Sequence, residues 1–137
     1  MTAPLLRKAL LRLLLAGALL ASLLGFPAAP ALAGPVNWQE LPASEAGQQW
    51  WDAGSLRRTR SGTVSVLSRF LPAAGDDGRP RMGDLYVMEL DCDQQLYRDT
   101  SVNGLPRFQA EWQPSGGDEL IDAVIEAACR AAADLPA

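Results

Sequence analysis

The chain has 137 residues, with 12 Lys and Arg against 16 Asp and Glu, no His, two Cys and a formal charge of −4. Its only lysine is Lys8, so imidazole bases, Ser–His or Cys–His pairs and His-ligated zinc are all excluded, and beyond residue 8 there is no side-chain amine for a Schiff base. The acidic balance also excludes a nucleic-acid binder, because phosphate binding rests on neutralisation by Lys and Arg.

The first 33 residues read as a secretory signal peptide. Arg7, Lys8 and Arg12 form a basic start, Leu13–Phe26 is a nearly unbroken apolar run, and Ala31 and Ala33 stand in A-x-A spacing before Gly34. A spanning helix needs about 20 apolar residues, so the run is short for an anchor. Arg7-Lys8 is not a twin arginine, and Gly34 stands where a lipoprotein would carry cysteine. The expectation is one domain, residues 34–137, exported to the periplasm or beyond and without a stable membrane anchor once the leader is removed. The leader holds three of the basic residues and no acidic ones, so the remainder carries nine basic against 16 acidic, a net of −7.

"VNWQEL", residues 36–41, reads as a first strand with Trp38 inward. "GQQWWDAGSLRRTRSG", residues 47–62, reads as a second strand ending in a turn at Ser61-Gly62. "TVSVLSRFLP" alternates, with Val64, Val66 and Phe70 on one parity and Thr63, Ser65 and Arg69 on the other. Residues 73–84 are rich in Gly, Pro and charge and form a loop. "LYVMELDC" places Tyr86, Met88, Leu90 and Cys92 on one face, and "LYRDTSV", residues 96–102, leads into Asn103-Gly104, the strongest hairpin signal in the chain. "RFQAEW" is expected to complete the sheet with Phe108, Ala110 and Trp112 inward.

After Ser115 the period changes. Leu120, Ile121, Val124, Ile125, Ala128 and Cys129 recur at helical spacing, and Asp118, Glu119 and Asp122 crowd the first turn, where they complement the helix dipole. Strands followed by a single helix predict an α+β fold: an antiparallel sheet of about five to six strands with one C-terminal helix on its face.

Cys92 and Cys129 both fall on the expected buried faces. In an oxidising compartment an even pair allows one internal bridge, a disulfide stapling helix to sheet. The competing readings are weaker. Asp91 and Asp93 would raise the pKa of a Cys92 thiol and disfavour a nucleophile. Two carboxylates on a strand without a calcium-loop pattern are a poor metal site. No metal or other cofactor is expected.

The candidate partner-binding residues are Trp51, Arg57, Arg58 and Arg60, an aromatic beside an arginine-rich hairpin. One of Trp50 and Trp51 is expected in the core and the other outward, and the competing reading of the arginines is a solvated turn. The partner would be a protein. The alternatives are an accessory subunit of an envelope complex and a hydrolase using paired carboxylates. For the hydrolase no pair of acids stands out.

Three stretches carry a family resemblance: "WWDAGSLRRTRSGTVSVLSRFLP", "MELDCDQQLYR", and Trp112 followed by a helix ending in Cys129. In this order they resemble the surface-adhesin protein E-like domain of exported bacterial proteins, from about Trp38 to Cys129. The resemblance implies a small sheet-plus-helix domain with no known catalytic centre. The adhesin that names the family binds host proteins at a bacterial surface, which makes an adhesin-like binding module the functional expectation.

Overall fold

The computed structural model describes residues 7–10, 12 and 34–136. The expected leader lies outside the described residues except for positions 7–10 and 12, which are helical, and the expected cleavage point before Gly34 falls at the start of the second described segment. Residues 33–137 form a unit of their own, and the account below concerns that unit.

Seven antiparallel strands and one helix are described in it. The strands are β1 (Trp38–Glu40), β2 (Gly47–Arg58), β3 (Val64–Pro72), β4 (Asp84–Asp91), β5 (Leu96–Val102), β6 (Leu105–Pro106) and β7 (Gln113–Pro114), and the helix is α1 (Glu119–Ala132). The sheet runs β1-β2-β3-β4-β5, and both two-residue strands lie along β5. This is the expected α+β architecture.

Asn103-Gly104 makes the tight turn out of β5, with φ of 50° and 80° and Val102 paired to Leu105. Asp118 caps α1, its Oδ1 accepting from the N–H groups of Leu120 (2.9 Å) and Ile121 (3.1 Å), which satisfies two otherwise unpaired donors. The helix lays Val124, Ile125, Ala128 and Ala132 against the sheet, where they meet Trp51, Val64, Val66, Met88 and Leu90, and Leu120 is buried in its first turn. The cap and the amphipathic period together fix where the helix starts and which way it faces.

Two departures from the alternating pattern decide what each sheet face displays. β2 carries an irregularity: Asp52 pairs with Leu67, but Arg57 pairs with Ser65, so residues 53–56 oppose Val66 alone. Ser55 stitches this bulge, donating to the Asp52 carbonyl (2.8 Å) and accepting from the Leu67 N–H (2.8 Å). The bulge reverses parity along β2. Trp51, opposite Ser68, faces the helix, whereas Arg57, also odd-numbered, faces away from it.

The second departure is at the expected last strand. Residues 107–112 make no ladder, and Phe108 is 93% exposed. The Arg107 N–H still donates to the Thr100 carbonyl at 2.8 Å, but a turn at residues 108–109 then carries the chain away from the sheet, and it rejoins β5 at Gln113. Trp38 is also corrected. Its register partner is Asp52, which places it on the face away from the helix, half-buried.

Candidate functional site

The helix covers one face of the sheet. The other face carries Trp38 and Glu40 from β1, Trp50 from β2, Arg69 and Leu71 from β3, Leu85 and Glu89 from β4, and Arg98 from β5, following the pairing register. Arg69 is exposed, and its guanidinium carbon lies 4.2 Å from the centroid of Trp50 and 5.5 Å from that of Trp38. Both contacts are within cation–π range. Among the described residues, Arg69 has no carboxylate within 4.0 Å.

Arg98 is held differently. Its Nε and Nη2 donate to Glu89 Oε2 at 2.9 and 2.7 Å, and its guanidinium stacks on Trp112 at 4.4 Å. Glu89 is only 8% exposed and also accepts from the Thr63 hydroxyl. This second cluster is neutralised internally and ties β4 and β5 to the turn before β3. The Arg69 cluster leaves its positive charge available to a partner.

The sequence-predicted site residues do not stay together. Trp51 is 8% exposed, sealed between the sheet and α1, and therefore cannot be the outward anchor; Trp50 holds that position. The reason is the register that sets Trp51 on the same face as Val66 and Met88. Arg58 is turned to the helix side by the bulge, and its Nη2 donates to the Ala132 carbonyl at 2.9 Å, next to the helix C-terminus. There it satisfies a terminal carbonyl and complements the dipole. Arg57 is exposed on the helix-free face and Arg60 at the hairpin tip. The Arg69 cluster is the feature that sequence reading missed. Its signal was present in the even parity of Trp38 and Trp50, but only the strand register brings Arg69 between them.

Cys92 and Cys129 form the expected disulfide, with Cα atoms 5.7 Å apart across 37 residues. It ties the end of β4 to the last turns of α1. The aspartates around Cys92 build the β4–β5 turn: Asp91 accepts from the N–H groups of Gln94 (3.0 Å) and Asp93 (3.1 Å) and from the Gln94 side chain (2.7 Å). These bonds, the Gln94 backbone N–H foremost, hold the Asp91 carboxyl below its ordinary value.

A disulfide-tied antiparallel sheet with one terminal helix defines a small α+β domain in class. The family model of the Surface adhesin-E family matches residues 39–135, and the chain belongs to that family. Comparison with curated proteins and with solved structures gives no match. Membership points towards binding and away from catalysis, and with the disulfide it indicates an exported protein. Among the described residues, no helix is long and apolar enough to cross a membrane.

Proposed function

We propose that the protein is an exported binding module of the bacterial envelope, acting in the periplasm or outside the cell, and that the helix-free face of its sheet contacts a protein partner. The observation that carries this reading is Arg69, exposed between Trp38 and Trp50 and without an ion-pair partner among the described residues. Stacking on two rings restricts the guanidinium before any partner arrives, so less side-chain entropy is lost on binding. Its N–H groups remain free to take a carboxylate or carbonyl of a partner, and Trp and Arg are the side chains that most often dominate interface energetics. Arg57 extends the same face towards the hairpin, where Arg60 lies exposed.

The test is capture by immobilised protein of components from the native envelope and from extracellular protein mixtures. Wild type is compared with a Trp50→Ala/Arg69→Ser variant of unchanged melting temperature. Each substitution should cost about 1–2 kcal/mol, or roughly tenfold in affinity. Equal capture of every component by the two proteins would remove this face as the contact surface.

A further inference from the structure

The helix side of the sheet holds a cavity of about 210 Å³ between the first turn of α1 and strands β3 to β5. Phe70, Tyr86 and Tyr97 contribute aromatic rings from three neighbouring strands, and Asp99 and Asp118 contribute carboxylates. The two acids differ. Asp118 is committed through Oδ1 to the N–H groups of Leu120 and Ile121. Asp99 is half-buried, and among the described residues its carboxylate has neither a hydrogen-bond donor nor an ion pair. Arg107 acts on it electrostatically but stands beyond ion-pair distance.

We propose that this cavity binds an ammonium head group, alkylated or methylated, seated among the three aromatic rings and neutralised by Asp99. Aromatic rings attract cations without needing hydrogen bonds, and the attraction strengthens when the cation leaves water. The half-buried carboxylate supplies the counter-charge. Burial holds Asp99 above its ordinary pKa, and Arg107, beyond ion-pair distance, offsets this only in part. An anion is disfavoured although a helix begins here, because the Asp118 cap occupies first-turn donors and Glu119 and Asp122 add further negative charge. A cavity of this size is below the ~300–1,000 Å³ that encloses a drug-sized ligand. It fits a head group whose remainder projects outward. The site lies on the opposite side of the sheet from the Arg69 cluster and stands independently of the partner-binding proposal.

A free quaternary amine and a lysine side chain share this chemistry, and a titration followed by NMR separates them. Choline and a lysine amide blocked at its α-amine are the two cationic probes, and the uncharged tert-butyl isostere of choline is the control. Saturable shifts should appear at the amides of Tyr97, Asp99, Leu120 and Ile121 with at least one cation. The tighter of the two identifies the source. Asp99→Asn should weaken binding by about tenfold or more, as loss of a close opposite charge in a partly buried site implies. Tyr97→Phe, which keeps the ring, should bind, and Tyr97→Leu should not. No saturation with either cation, equal binding of the isostere, or unchanged affinity in Asp99→Asn would overturn the proposal.

Discussion

Replacing both cysteines by serine removes the covalent tie between β4 and α1 while leaving the apolar contacts of α1 in place. The bridge closes a loop spanning 37 residues of sequence separation, and the chain-entropy relation for a loop of that length gives about 4 kcal/mol at 25 °C. That is a large part of the ~5–15 kcal/mol by which a domain of this size is stable. At about 4–8 °C per kcal/mol, the melting temperature should drop by about 15–30 °C. Urea unfolding followed by tryptophan fluorescence measures the loss directly. The variant should have a lower midpoint and a steeper dependence on urea, because its unfolded chain is no longer cross-linked and exposes more surface. Its far-ultraviolet circular dichroism in the cold should stay native, since Val124, Ile125 and Ala128 still pack on the sheet. A loss below about 1 kcal/mol, smaller than the usual range for a native bridge, would refute the assignment of the disulfide as the main tie between helix and sheet.

The two adjacent tryptophans should separate cleanly: Trp51→Ala should cost about 3–5 kcal/mol as a core truncation, and Trp50→Ala should leave the melting temperature nearly unchanged, both read by calorimetry. Arg58→Ser should cost about 1 kcal/mol through loss of its bond at the helix C-terminus, whereas Arg57→Ser and Arg60→Ser should be nearly neutral in the same thermal scan. Burial raises the pKa of Asp99 against the opposing influence of Arg107, with Tyr86, Tyr97 and Asp118 as its other ionisable neighbours around the cavity. The folded state therefore binds the proton more tightly than the unfolded one, and stability falls as pH rises from the ordinary carboxylate value of about 3.9 through the raised folded value. Asp99→Asn should melt higher than wild type above that window and equal to it below; a difference that does not vary with pH would contradict the burial argument.

Where local chemistry alone decides a feature, the sequence was readable. β5 occupies residues 96–102 as expected, the turn falls at Asn103-Gly104, and Asp118 caps the helix; the one tertiary contact that was readable, Cys92 to Cys129, was so because two cysteines allow a single internal bridge. Where tertiary partners decide, it was not. β2 buries polar residues on both parities, so its pattern could not say which face is inner. Gln49 is satisfied by the Ser68 hydroxyl at 2.9 Å, and Asp52 by the N–H groups of Asn37 (2.7 Å) and Gly54 (2.9 Å). The bulge stitched by Ser55 then reversed parity between Trp51 and Arg57, which broke up the patch that sequence spacing suggested. Residues 107–112 alternate like a strand but leave the sheet after Arg107, at the turn of residues 108–109, and Trp112 instead serves as a platform for Arg98.

If the helix-free face meets the partner, site-directed photo-cross-linking detects the contact whatever that partner's identity. A benzoylphenylalanine is placed in turn at Leu71 and Leu85, exposed beside Arg69 on the helix-free face, and at Asp122, exposed on α1. After illumination in the native envelope or in contact with extracellular proteins, adducts should form from position 71 or 85, should disappear when Arg69→Ser is added, and should be absent from position 122. Adducts from position 122 alone would place the contact surface on the helix instead of the helix-free face.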